Sequence, residues 1–121
     1  SCGPEAAPER LDATALDRLR QLDPDGKHGV VNRVLSTYEN SLQRQMELAS
    51  QAGQQGDTTA VANVAHLLKS SSAAVGALAL SECCASLERR LRAGEAVDLG
   101  AEVENLLTQG ARALLAVRAM L

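Results

Sequence analysis

Two residues of this chain, His66 and Lys69, are the best candidates for chemistry. When the predicted helix that carries His66 is drawn at about 100° per residue, its apolar residues fall in one sector and His66 falls well outside it. The residues around His66 on that side are all small, namely Thr59, Ala62, Ser70 and Ala73. The imidazole should therefore be accessible to another protein's active site, where it could serve as a nucleophile. An isolated exposed histidine is more often a solvated surface residue, so this placement leaves both interpretations open.

Other nucleophilic or metal-binding residue types form no recognisable site. The run Ser70–Ser72 offers hydroxyl groups, but no Asp or second His accompanies it and Ser72 faces the predicted core, so packing is the better explanation. Cys83 and Cys84 are adjacent and point in different directions on a helix, so neither a disulfide framework nor a metal site is predicted, and both are interpreted as packing residues. His28 is interpreted as a surface residue.

Helical periodicity runs through the chain and is interrupted by short turn sequences. The predicted helices run from about Asp12 to the turn at 23–26, over 29–52, from Asp57 or Thr58 to Val75, from after Gly76 to Ala93, and from about Leu99 onward. The first carries the apolar residues Leu16, Leu19 and Leu22, and the last places on one face Val103, Leu106, Gly110, Leu114, Val117 and Leu121. Since glycine costs roughly 1 kcal/mol in mid-helix, a close helix approach is expected at Gly110. Short connections make neighbours antiparallel, so the predicted fold class is all-α: an up-down-up-down four-helix bundle with a short extra N-terminal helix.

Composition and charge limit the classes of function. The 121 residues fit one domain, and 1% aromatic content with a net charge of −3 argues against a nucleic-acid surface. The longest apolar run, 73–80, is too short to span a membrane, and no signal-peptide pattern is found, so a cytoplasmic location is expected. Residues 1–10 hold two of the three prolines and are interpreted as a linker or cloning remnant, and residues 11–121 as the domain.

A longer motif surrounds the histidine. Residues 66–77 read His-Leu-Leu-Lys-Ser-Ser-Ser-Ala-Ala-Val-Gly-Ala. This segment resembles the signature His-x-Leu-Lys-Gly-Ser-Ser-x-x-x-Gly-Ala of the histidine-containing phosphotransfer (HPt) domain family, and the resemblance extends over about residues 11–94. It implies a helical bundle in which His66 accepts a phosphoryl group from the aspartyl phosphate of one receiver domain and passes it to another.

The resemblance also implies roles for the neighbours of His66. Lys69 would place its ammonium beside the phosphoryl oxygens. Receiver domains bring the aspartate, a lysine and Mg²⁺ themselves, so the chain is expected to need no cofactor, ATP site or kinase activity of its own. The surface expected to contact the receiver comprises Ala62, Ser70, Ser71, Ala73 and Gly76. Ser70 stands where the family usually has glycine, and it is expected to affect the rate and the fit of the partner rather than the activity itself.

Glu88 is a third candidate, from hairpin geometry. If two antiparallel helices turn at Ala77, His66 lies eleven residues before the turn and Glu88 eleven after it, so the two residues lie at the same height. Glu88 could then accept a hydrogen bond from Nδ1 of His66 and leave the other nitrogen free to react. The alternative is that Glu88 pairs only with Arg89, Arg92 or solvent.

Two other functions remain possible at this stage. The chain could be a docking bundle that binds a receiver without carrying phosphate, or the dimerisation and phosphoacceptor module of a sensor kinase. The second would require an obligate two-chain bundle, whereas we expect a monomer. The beginning of the sequence favours the C-terminal module of a hybrid sensor histidine kinase. A basic face at Arg89, Arg90 and Arg92 could meet an acidic receiver rim or could be solvated.

Overall fold

The computed structural model describes residues 7–121, which form five helices and no strands. These helices are α1 (Ala13–Gln21), α2 (Val30–Gln55), α3 (Thr58–Ala74), α4 (Leu78–Arg92) and α5 (Leu99–Met120). The all-α prediction is therefore confirmed, including the short N-terminal helix. Cys2 and the other residues before Ala7 lie outside the described part.

Aspartate residues begin three of these helices. The side chains of Asp12, Asp57 and Asp98 each accept a hydrogen bond from a backbone N–H in the first turn of α1, α3 and α5. Each carboxylate satisfies one of the N–H groups that a helix leaves unpaired at its N-terminus. Asp57 thus fixes the start of the helix that carries His66.

The end of α2 differs from the prediction. The helix continues through Gly53 to Gln55 and ends at Gly56, whose φ of 67° is left-handed. Gly56 suits this C-cap because glycine has no Cβ to oppose that conformation. Gly53 stays helical and lies against α5: a Cβ on Gly53 would be 3.0 Å from Cγ2 of Val103. The prediction that the helix ends at 52 was wrong because the first of two glycines serves packing rather than termination.

The four long helices pack as a closed antiparallel ring in which α2, α3, α4 and α5 each contact the next and α5 contacts α2. Contacts between α2 and α5 show that the two helices are antiparallel. The end of one helix lies beside the start of the other. Arg118 on α5 bonds Glu39 on α2, and Val103 near the start of α5 meets Gly53 near the end of α2. α1 packs on α2.

The core is almost entirely aliphatic. Its largest fully buried side chains are Leu35, Leu42, Val61, Leu68, Val75, Leu80, Leu87, Leu106 and Val117. The buried Tyr38 makes a 2.8 Å hydrogen bond to Ser72 across α2 and α3, so both hydroxyls are satisfied. Burial raises the pKa of Tyr38 well above its ordinary value. The close approach expected at Gly110 is confirmed, since a Cβ there would lie 2.8 Å from Sδ of Met46.

Two leucines at the ends of the predicted apolar stripes are exposed. Leu22 is 66% exposed and Leu121 is 48% exposed, and each is the C-cap of its helix. Both continue the apolar stripe in sequence, but the helix has ended and no neighbouring helix covers them.

Residues 7–12, most of which were interpreted as linker, contact the bundle. The backbone N–H of Glu9 donates to the carbonyl of Arg112 on α5, and the N–H of Asp12 donates to the carbonyl of Gly76. The Glu9 carboxylate accepts a 2.7 Å hydrogen bond from the N–H of Ala79 in α4. These contacts hold the segment over the turn between α3 and α4.

No helix between residues 7 and 121 has both the length and the apolar character needed to cross a membrane.

Candidate functional site

His66 is placed by α3. The buried residues of this helix, including Val61, Ala65 and Leu68, face the core. His66 lies away from this stripe, and its side chain is 60% exposed. The imidazole is therefore open to solvent on a helix whose position is fixed by packing on two sides, against α2 and α4.

The two ring nitrogens of His66 have different surroundings. Nδ1 lies 2.8 Å from Oε2 of Glu88 on α4. An ionised carboxylate can only accept a hydrogen bond, so Nδ1 must carry the proton in this contact. In the neutral ring Nε2 then holds the free lone pair, which is the form that a nucleophilic histidine requires.

Glu88 bridges His66 and Lys69. Its Oε1 accepts a 2.7 Å hydrogen bond from Nζ of Lys69, while its Oε2 faces His66. The Glu88 side chain is only 12% exposed. The hydrogen bond from Lys69 lowers the pKa of Glu88 below its ordinary value, and the hydrogen bond with His66 acts in the same direction against the opposing effect of desolvation. The carboxylate is thus held in its charged, acceptor-only form.

Lys69 lies one turn after His66, with its side chain 38% exposed. Its ammonium is paired with Glu88 rather than pointing freely into solvent. On the backbone side, its carbonyl accepts a 2.7 Å hydrogen bond from Oγ of Ser81, which ties this turn of α3 to α4. The exposed part of the lysine and its position on the helix leave it within one turn of any group bound at Nε2.

Two further residues join this cluster. Arg92 lies one turn after Glu88, and its Nε is 3.6 Å from Oε2 of Glu88. Its Nη2 donates a 3.1 Å hydrogen bond to Oδ1 of Asn63, which lies three residues before His66. The sequence offered the spacing of Glu88 and Arg92 as a signal, but it gave none for Asn63, whose partner lies on another helix.

Comparison with known proteins bears on the family and the fold of this chain. A family model for the Hpt domain matches residues 33–121. The chain belongs to the Hpt domain family. The crystal structure of histidine-containing phosphotransfer protein B (HptB) from Pseudomonas aeruginosa PAO1 is similar, with a TM-score of 0.78 and 25% sequence identity over 91% of this chain and 92% of that chain. The search of curated proteins gave no match. Membership of the family assigns the chain to histidine phosphotransfer in a phosphorelay.

Two of the residues expected to contact a partner of this Hpt domain, Ser70 and Ala73, are exposed beside His66. Ser71 is half-buried, and its hydroxyl donates to the carbonyl of Leu67 one turn earlier in α3. That hydroxyl is therefore used within the helix. Leu67, next to His66 and 55% exposed, adds apolar surface on the side towards α2 that the motif did not single out.

Two other residues expected to contact a partner are not accessible. Ala62 is only 2% exposed, because the buried stripe of α3 is wider than the helical pattern indicated and α4 reaches across to Asn63 and His66 beside it. Gly76 is buried in the turn after α3, where a Cβ would lie 2.7 Å from the backbone nitrogen of Asp12. These two assignments to the partner surface were wrong, because a helical pattern gives direction but not what the neighbouring segments cover.

The remaining candidates lie apart from His66. Cys83 and Cys84 are free thiols, half-buried and buried respectively, and burial raises the pKa of Cys84 to about 12. His28 is exposed. Of the three arginines in the predicted basic face, Arg90 pairs with Glu102 at 2.7 Å, Arg92 lies 3.6 Å from Glu88, and Arg89 is exposed. Within residues 7–121 no cluster of His, Cys, Asp or Glu has the make-up of a metal site.

Proposed function

We propose that His66 is the phosphoacceptor of this Hpt domain, accepting a phosphoryl group from a receiver-domain aspartyl phosphate and passing it to a second receiver. The observation that carries the proposal is the exposed ring of His66 with Nδ1 on the Glu88 carboxylate, which leaves Nε2 as the nucleophile. The receiver would supply the aspartate and the Mg²⁺ that neutralises the phosphoryl oxygens. The Hpt domain would supply only the nucleophile and its immediate neighbours.

The proposed transfer exchanges one bond to phosphorus for another. The lone pair on Nε2 forms a bond to phosphorus while the bond from phosphorus to the aspartate oxygen breaks, and the aspartate leaves as a carboxylate with the electron pair. The neutral ring becomes a phosphorylated imidazolium that keeps its proton on Nδ1. The negative charge of Glu88, 2.8 Å from Nδ1, stabilises that developing positive charge. In the return step a second aspartate attacks phosphorus and the ring leaves as neutral imidazole.

Lys69 is proposed to neutralise the phosphoryl group. Its ammonium, 2.7 Å from Glu88, would turn outwards to the phosphoryl oxygens, a movement within reach of a flexible four-carbon side chain one turn from His66. Phosphoryl transfer depends on positioning and on neutralising charge, so a cation here is expected to speed transfer.

The larger context is also part of the proposal. We place the domain as the C-terminal module of a hybrid sensor histidine kinase in the cytoplasm, acting as a monomer between the receiver of the kinase and that of a response regulator. Residues 7–12 contact the turn between α3 and α4, at one end of the bundle, whereas His66 lies in the middle of α3.

Phosphorylation of His66 can be tested without knowing the receiver. Phosphoramidate, which phosphorylates imidazole directly, should give an acid-labile and alkali-stable phosphoryl group on the wild-type domain. Replacement of His66 by Gln should remove most of it while the helical circular dichroism is unchanged, and His28→Gln should keep it. A panel of receiver domains charged with radiolabelled acetyl phosphate should then pass label to His66. Binding of a charged receiver with no transfer would make the domain a docking bundle instead.

A further inference from the structure

Arg92 takes no part in the proposed transfer of the phosphoryl group, yet it contacts the carboxylate of Glu88, which orients His66. Its side chain is 47% exposed and reaches from α4 to α3. Nε lies 3.6 Å from Oε2 of Glu88, and Nη2 donates to Oδ1 of Asn63 at 3.1 Å. The guanidinium is therefore held at two points, and a planar fork of this kind loses little further freedom when it binds a carboxylate.

The two cations lie on different sides of the carboxylate. Lys69 binds Oε1, the oxygen that does not contact His66. Arg92 lies beside Oε2, the oxygen that contacts Nδ1 of His66. Departure of the lysine would thus leave the oxygen that orients the ring still paired with a cation.

Such a departure follows from the proposed function, on which this inference rests. When Nε2 gains a phosphoryl group, Lys69 would leave Oε1 to bind the phosphoryl oxygens, and Glu88 would lose its shortest ion pair. At that moment the ring becomes cationic and depends most on the carboxylate. If Arg92 were also absent, Glu88 would keep only the ring as a partner, would gain rotamer freedom and hydration, and would leave Nδ1 more often.

We propose that Arg92, anchored by Asn63, is a positioning residue that keeps the Glu88 carboxylate on Nδ1 of His66 while Lys69 turns to the phosphoryl group. Arg92 does not touch the reacting atoms and acts only through Glu88. A purely structural alternative is that Arg92 links α3 and α4 and contributes to stability alone.

The test compares Arg92→Gln with Arg89→Gln. Arg89 is exposed on the same helix, and its side chain makes no ion pair or hydrogen bond within residues 7–121, so its replacement removes the same charge without the contact. The first readout is the tautomer of His66, from ring nitrogen chemical shifts by NMR at a pH where the ring is uncharged. For this readout every variant is made in the Lys69→Met background, so that the lysine is absent from Glu88 as it would be during transfer. The second is the rate of phosphorylation by phosphoramidate. The tautomer is measured without phosphate, so it reports on Arg92 even if His66 were never phosphorylated.

Arg92→Gln should increase the tautomer with the proton on Nε2 and slow phosphorylation by about two- to fivefold, the effect of one partly exposed ion pair. Arg89→Gln should leave both readouts unchanged. Arg92→Lys and Asn63→Ala should fall between, because the first keeps the charge without the fork and the second removes only the anchor. Equal rates and tautomers in Arg92→Gln and Arg89→Gln would refute the inference, as would a loss of thermal stability with neither readout changed.

Discussion

At His66, the surroundings of each ring nitrogen decide its use. The carboxylate of Glu88 lies 2.8 Å from Nδ1, so the proton stays there and Nε2 is left to react. When Glu88 is ionised both of its oxygens can only accept, and the carboxylate is held in that form chiefly by Lys69 at 2.7 Å. The orientation of His66 therefore depends on the Glu88 carboxylate of α4, which Lys69 of α3 keeps ionised.

The stabilising effect of Glu88 should depend on pH. Its pKa is lower in the folded chain than the ordinary value of 4.5 because of the hydrogen bond from Lys69. The folded state therefore favours the ionised form, and this stabilisation is fully present above 4.5 and lost as the pH falls through the lowered pKa. Glu88→Gln should reduce the free energy of unfolding by roughly 0.5–1 kcal/mol near neutral pH, and the difference from the wild type should shrink in acid. Urea unfolding at a series of pH values measures it.

A double variant provides the control. Lys69→Met removes the main cause of the lowered pKa, so Glu88→Gln made in that background should show a smaller dependence on pH. If the effect of Glu88→Gln were constant from neutral to acidic pH in the wild-type background, the ion pair would not exist in solution.

The sequence predicted the positions of His66 and Glu88 but not the contact between Arg92 and Asn63. Angle on the helix predicted that His66 lies outside the core stripe, and equal distance from the turn predicted that Glu88 lies at its height. Both follow from regular helix geometry. The contact between Arg92 and Asn63 was not predicted, because it depends on the separation and rotation of α3 and α4, which no spacing within one helix specifies.

Between helices, two glycines set how closely α5 approaches α2. A Cβ on Gly110 would meet the far end of Met46, with Sδ at 2.8 Å and Cε at 3.1 Å. A Cβ on Gly53 would meet Val103, with Cγ2 at 3.0 Å and Cβ at 3.2 Å. Met46 is flexible and can move, whereas the β-branched Val103 is stiff and its Cβ is fixed to the backbone of α5.

Because Met46 can move and Val103 cannot, a Gly→Ala substitution should have opposite effects on stability at Gly110 and Gly53. Each Gly→Ala change gains about 1 kcal/mol of helix propensity. Gly110→Ala should keep most of that gain, whereas Gly53→Ala should be net destabilising by about 1–2 kcal/mol because α5 must shift. Urea unfolding of both variants measures the difference. Adding Val103→Ala to Gly53→Ala removes the nearest clashing carbon, so the double variant should lose less than the two single changes combined. Equal shifts for Gly53→Ala and Gly110→Ala would contradict this account.

The sequence predicted the helices themselves but not the exact end of α2, where Gly53 and Gly56 have different roles. The number and order of the helices follow from periodicity and from caps such as Asp12 and Asp57. Gly53 was interpreted as a stop because glycine at a helix end and glycine at a close crossing look alike in sequence. Only the left-handed φ of Gly56 and the approach of Val103 to Gly53 distinguish the two uses.

For the molecule as a whole, the least predictable feature is the segment before α1. The contact of Glu9 with Ala79 joins residues 70 positions apart, and no local pattern encodes it. The same segment covers Gly76, which is why a residue inside the family motif is not on the accessible surface. Residues 7–12 therefore complete the end of the bundle where α3 turns into α4.

Glu9 should stabilise the bundle as a cap supplied from outside the helix. The N-cap of α4, Ala77, has no side chain that can accept a hydrogen bond, and Glu9 supplies the acceptor for Ala79 at 2.7 Å. Its other oxygen, Oε1, is buried without a partner in the described chain, which offsets part of the gain. Glu9→Ala should therefore lower the free energy of unfolding by about 0.5–1 kcal/mol, near the low end for a cap.

Hydrogen exchange of the Ala79 amide distinguishes loss of the Glu9 hydrogen bond from a general loss of stability. In Glu9→Ala the amide of Ala79 should exchange faster than in the wild type by more than the change in global stability accounts for. Arg10→Ala is the matched control, because Arg10 is exposed and adjacent to Glu9. Arg10→Ala should leave the Ala79 amide unchanged. Equally fast exchange of that amide in the wild type and in Glu9→Ala would mean that residues 7–12 do not hold the start of α4 in solution.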